Sequence, residues 1–276
     1  MKKVTRANVY FIIILVLELF MPSVLYIGYK KFGLTDIRIQ LFLNHTILFL
    51  VPAMIYIIVT KSSIKETFRL NKLYLKDALM IILLAFICQP IMSFFSVLTG
   101  LFFNNNVGEM VTSMTQNTPY IVLLLLVAVM PAITEEVTMR GVVLSGYDKK
   151  PTFLAALITG IMFGIFHLDF QQLLYAAVLG FILAYVVRIT NSIFASMLMH
   201  FIINGTSVTL QYIIKAVGVT VDTGEQASLI ALPMAEKLQV ILSYSKGAIF
   251  CAVIAFAIIK TLEKWNKERR IDLNEA

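Results

Sequence analysis

Eight apolar runs, each close to the ~20 residues a helix needs to cross a bilayer, follow one another along this chain with short polar breaks between them. They lie near residues 9–28, 40–60, 77–103, 119–145, 151–168, 171–188, 192–216 and 239–262. Backbone polar groups in hydrocarbon must be satisfied within the chain, and a continuous apolar run does that as a helix. The fold class is therefore all-α, a polytopic membrane protein with about eight transmembrane helices. Composition agrees, because only 14% of residues are charged, where a soluble domain carries about a quarter. No gap is long enough for a separate soluble domain, so residues 1–276 read as a single integral membrane domain.

Lys and Arg set the orientation. With a cytosolic N-terminus, 16 of them fall in inner segments, from Lys2, Lys3 and Arg6 to Lys267, Arg269 and Arg270, against four outside (Lys30, Lys31, Arg38 and Lys237). Both termini are expected in the cytosol. The same distribution accounts for the net charge of +7 as basic loops facing an anionic leaflet, which leaves nucleic acid without a role. The first run is longer than a signal-peptide core and no small-x-small site follows it, so it reads as a retained anchor. Cys88 and Cys251 lie inside spans and read as apolar packers.

Charge inside the apolar runs is the functional signal. Glu135, Glu136 and Arg140 occupy the fourth span, where a charged side chain costs ~2.5–3.5 kcal/mol even on lenient insertion scales. Residues i and i+4 share a helix face, so Glu136 and Arg140 are expected to pair. Glu135 then points about 100° away and is free for other work. The plainer reading makes all three a helix-packing device, but two carboxylates exceed what one arginine needs. Pro131 should bend this helix and free the carbonyl of Val127. Phe163 and His167 in the fifth span, and His200 and Asn204 in the seventh, repeat the i, i+4 spacing. Each pair alone suits ordinary packing. With Glu135 they supply a base, imidazoles and an amide donor, an inventory for hydrolysis. His45 lacks an acidic partner nearby in sequence and serves as a control, and Glu18 reads as structural or cavity-facing.

The ordered motifs EExxxR (Glu135–Arg140), FxxxH (Phe163–His167) and HxxxN (His200–Asn204) resemble the signature of the CPBP intramembrane proteases, the CAAX-processing and bacteriocin-processing or Abi family. The resemblance covers a catalytic core of about 119–215. It implies an eight-helix fold with catalytic groups meeting inside the membrane, open toward the cytosol. It further implies that Glu135 and His167 activate water while His200 and Asn204 form an oxyanion hole, with Glu136, Arg140 and Phe163 supporting the site. Family members have been described both as metalloproteases and as metal-free glutamate proteases. Glu135, His167 and His200 make a known type of zinc set, yet no His-Glu-x-x-His spacing is present, and Asn204 suits an oxyanion better. The expectation is a site without a cofactor, with zinc as the alternative.

Depth arithmetic exposes a tension. At ~1.5 Å per residue, Glu135 lies ~24 Å from the outer end of its span and His200 ~12 Å from the inner end of its own. His167 comes out ~24 Å from the inner end, too far outward unless the fifth span tilts or the turn at Leu168–Gln171 is recessed. The recessed turn is the expectation. The leading function is an intramembrane endopeptidase acting on a membrane-associated protein or peptide, in a bacterial plasma membrane. Two alternatives stand beside it. One is a transporter or binding protein handling protons or a cation, which would spread polar groups along a continuous path. The other is an inactive, immunity-type family member. The polar stretches 104–118 and 217–238 are candidates for covering the site from outside.

Overall fold

The computed structural model describes residues 2–218 and 229–275, so residues 219–228 of the polar stretch 217–238 lie outside the described residues. Every regular element among them is helical, and beside a single turn at Ile64–Thr67 the main helices are α1 (Lys3–Lys31), α2 (Ile37–Thr60), α3 (Leu75–Gly100), α4 (Asn106–Asn117), α5 (Tyr120–Val143), α6 (Thr152–Phe166), α7 (Phe170–Thr190), α8 (Ile193–Ala216) and α9 (Met234–Glu275). Seven of these are long and apolar enough to cross a membrane, and α6, at 15 residues, is a shorter apolar helix. This is a multi-pass, all-α membrane protein. Large apolar side chains such as Ile12, Phe20, Val59, Phe250 and Phe256 stand exposed on its outer helices, a surface suited to lipid and unsuited to water.

The bundle is built with α5, α7 and α8 at its centre and α1 and α9 at its rim. One apolar cluster joins α1, α2 and α6 to the end of α5, and a second joins α3, α7, α8 and α9. Loops tie together at one end. Asp148 accepts from Arg69 and is flanked by Lys3 at 3.5 Å and Arg188 at 3.7 Å. Asp77 accepts from Arg269 at 2.6 Å. The start of α1 and the end of α9 therefore share the end that carries the basic loops. At the opposite end Lys215 of α8 donates to the carbonyls of Thr115 and Gln116, which fixes α4 across the bundle.

The hairpin of α6 and α7 is where the depth tension lies. At ~1.5 Å per residue α6 is only ~22 Å long, less than the ~30 Å hydrocarbon core. The helices approach closely because Gly160, Gly164 and Gly180 lie between them. A Cβ on Gly164 would sit 2.5 Å from the carbonyl oxygen of Leu173. The turn needs Leu168 at φ +51°, after which Asp169 caps α7 by accepting from the Gln171 N–H at 2.7 Å. Protein groups satisfy it: Thr99 of α3 donates to the Gln171 carbonyl at 2.6 Å. Polar backbone buried against protein in this way is compatible with membrane depth.

Candidate active site

Three wide, π-helical turns interrupt the helices around the site: Thr46–Leu50 in α2, and Leu125–Val129 and Val137–Val143 in α5. Such turns shift the helix register by one residue and are frequent at functional sites. The first follows His45 directly, and the other two bracket Pro131, Glu135 and Glu136. Proline at 131 cannot donate to the Val127 carbonyl, and Asn204 of α8 fills that vacancy, its Nδ2 donating at 3.1 Å. Val127 and Asn204, 77 positions apart in sequence, thus meet in one hydrogen bond.

Glu136 is fully buried and accepts at a single oxygen from two partners, Arg140 Nη1 at 3.0 Å and His200 Nδ1 at 2.9 Å. Arg140, 1% exposed, also donates to the Gly180 carbonyl at 3.3 Å. Its guanidinium lies 4.2 Å from the centre of the Phe163 ring. That ring in turn meets His167 edge-on at 4.7 Å and His200 at 6.2 Å. Phe163 is therefore the common packing surface of all three motifs, which explains an aromatic residue at that position.

The carbonyl of Phe163 is one of the orphan acceptors at a helix C-terminus. His167 Nδ1 donates to it at 2.8 Å. A carbonyl cannot donate, so this bond fixes the tautomer and leaves the neutral ring's Nε2 as an acceptor. The same argument orients His200, whose Nδ1 faces the Glu136 carboxylate. It extends to His45: Thr134 donates its only proton to the Met130 carbonyl at 2.9 Å, so His45 Nδ1 is the donor in the 3.1 Å contact with Thr134.

Glu135, His167, His200 and Asn204 all line one cavity of about 550 Å³, within the range of ordinary ligand pockets. Glu135 is half-buried and makes no hydrogen bond to the described residues. It lies within electrostatic reach of Arg140, His45, Tyr175 and Glu18. Among the described residues no group of three His, Cys, Asp or Glu side chains comes close enough to share an ion. Glu135, His167 and His200 share the cavity wall.

One expectation needs correction. His45, the control histidine, lines the same cavity. Its link to Thr134 spans 89 positions, so nothing near it in sequence announces the partner. The resemblance also implies a cavity open at the cytosolic, basic end. Glu135 and His200 line it from the basic-end halves of α5 and α8, while Val107, Met110, Gln171 and Gln211 extend its wall toward the α4 end. The wall is also wider than the fourth, fifth and seventh spans. Gln89, Ser93 and Ser96 of α3 contribute to it, and their i, i+4, i+7 spacing inside an apolar run is a polar stripe legible by helical periodicity.

Residues 117–206 match the family described as type II CAAX prenyl endopeptidase Rce1-like. The curated Bacillus subtilis (strain 168) protein named "Putative membrane peptidase YdiL" is 32% identical over 80 residues, covering 29% of this chain and 33% of that protein. The chain thus spans about a third of the curated relative's length. No solved structure matches. Through this segment, which holds all three motifs, the chain is similar to membrane peptidases of the CPBP type.

Proposed function

We propose that the protein is an intramembrane endopeptidase that hydrolyses a peptide bond of a membrane-associated protein or peptide. The observation carrying this reading is the division of labour between the adjacent glutamates. Glu136 is buried and spent on Arg140 and His200, whereas Glu135 faces the cavity without a hydrogen-bond partner. In the proposed step Glu135 takes a proton from a water that His167 Nε2 orients. The water oxygen attacks the scissile carbonyl, and the proton then passes to the departing amine. The carbonyl oxygen becomes an oxyanion, for which Asn204 has one N–H left after serving Val127. His200 donates from Nε2 only when both ring nitrogens carry protons, and Glu136 supplies the counter-charge behind it. Donors held in a site of low dielectric are worth ~10²–10³ in rate each.

The reaction is written without a metal, because Asn204 one turn after His200 suits an oxyanion better than a zinc ligand set. The transporter reading fares worse. Beyond the Glu136–Arg140 pair the bundle is filled by Met139, Val142, Val143 and Leu144, all fully buried, so the polar groups end in a pocket and trace no path across. The test is comparative peptidomics of membranes carrying wild-type or Glu135→Ala protein. A fragment absent only from the variant names the substrate, and identical peptide pools would reject the protease reading.

A further inference from the structure

Two imidazoles are held against α5 by the residues on either side of Glu135. His200 of α8 donates from Nδ1 to Glu136 at 2.9 Å, and His45 of α2 donates from Nδ1 to Thr134 at 3.1 Å. The two anchors differ in charge. Behind His200 stands a buried carboxylate, which supports a second proton on that ring. Behind His45 stands a hydroxyl whose own proton goes to the Met130 carbonyl at 2.9 Å. Nothing hydrogen-bonded to His45 therefore holds a second proton there, and its Nε2 is left as an acceptor.

The His45 ring is fixed from several sides. It stacks on Phe49, with 5.2 Å between ring centres and 30° between the planes. Its anchor Thr134 is fully buried. Its neighbour Asn44 accepts from the Tyr29 hydroxyl at 2.8 Å, which ties this part of α2 to α1. The ring lines the cavity together with Glu135, His200 and Asn204, and Nε2 makes no hydrogen bond to the described residues. The titratable groups within its electrostatic reach include Glu135 of α5 and His200 of α8.

A peptide group entering the cavity brings one acceptor and one donor. In the proposed reaction its C=O is met by Asn204 and His200, while Glu135 and His167 are occupied by the water, so its N–H has no partner. A substrate unwound for cleavage has given up its own helical hydrogen bonds, and an N–H left unpaired at membrane depth is costly.

We propose that His45 is a substrate-binding residue whose neutral Nε2 accepts a main-chain N–H of the bound peptide beside the scissile bond. His45 lies outside the matched residues 117–206, so α2 adds this contact to a site otherwise built from that segment and its neighbours. The proposal rests on the endopeptidase reading, and one arm of its test therefore needs no turnover.

The chain has three histidines, so ¹⁵N-histidine labelling of the full protein in lipid nanodiscs gives a simple spectrum, in which His45→Asn identifies the His45 signals. The probe is N-acetyl-leucine methylamide, and the control is its analogue methylated at both nitrogens, which has no N–H. At neutral pH His45 is expected to show a protonated Nδ1 and a bare Nε2. The probe should move the Nε2 signal toward its protonated position and the control should not. A ring protonated at Nε2, an Nε2 signal indifferent to the probe up to its solubility limit, or an equal response to the control overturns the proposal. The second arm uses the peptide identified by peptidomics. His45→Asn keeps a partner for Thr134 but has no atom at the Nε2 position. It should raise KM ~10-fold with kcat near wild type, as loss of one hydrogen bond made equally in ground and transition states does. His45→Gln, which brings a carboxamide oxygen near that position, should recover most of the loss. His45→Asn with a wild-type KM, or His45→Gln as impaired as His45→Asn, overturns the proposal. A probe response beside a null peptidomics result retains the acceptor and rejects only the protease.

Discussion

Replacing Glu136 by Gln removes the only carboxylate that hydrogen-bonds Arg140 among the described residues, leaving it the longer-range attraction of Glu135. Arg140 is 1% exposed, and its other contacts are the Gly180 carbonyl at 3.3 Å and the Phe163 ring at 4.2 Å, neither of which carries a negative charge. Stranding one member of a buried ion pair costs ~3–5 kcal/mol. At ~2–4 °C per kcal/mol for a chain of this order of size, that is a fall in melting temperature of roughly 6–20 °C. Arg140→Ala should fall within the same range, since it strands Glu136. Glu135→Gln keeps the shape of a half-buried side chain that makes no hydrogen bond among the described residues, so its melting temperature should stay near wild type while activity disappears. The assay is thermal unfolding in detergent beside peptide-bond cleavage for all three variants. An unstable Glu135→Gln with a stable, inert Glu136→Gln would refute the assignment of the two carboxylates.

Three further outcomes follow from the geometry. Gly164→Ala drives a Cβ to 2.5 Å from the Leu173 carbonyl oxygen, so overpacking of ~1–3 kcal/mol should open the hairpin beneath His167, lowering melting temperature and activity together. Asn204→Ala should cut kcat by ~10²–10³ with little change in KM, as loss of an oxyanion donor does. Chelator-treated, metal-analysed protein should retain its cleavage activity; activity abolished by chelation and restored by stoichiometric zinc would overturn the metal-free mechanism.

The architecture was legible because lipid imposes a strict ruler. Seven of the eight expected spans reappear as long apolar helices, and the eighth as a shorter apolar helix. The Glu136–Arg140 pair and the freed Val127 carbonyl were readable because both depend on fixed four-residue helical spacing. The cavity position of His45 was hidden, since its contact with Thr134 depends on how α2 lies against α5. The closeness of α6 and α7 was carried by Gly160 and Gly164, a small-xxx-small spacing that an analysis centred on charge passes over.

The central claim is that Glu135 activates a water molecule for attack on a peptide bond. Purified protein in lipid nanodiscs, given the substrate identified by peptidomics, should be incubated in water enriched in ¹⁸O and the products weighed by mass spectrometry. The account predicts that wild-type protein releases a new carboxyl terminus carrying a single solvent oxygen, and that Glu135→Gln protein with a wild-type melting temperature releases none. Cleavage by Glu135→Gln at the wild-type rate would contradict it.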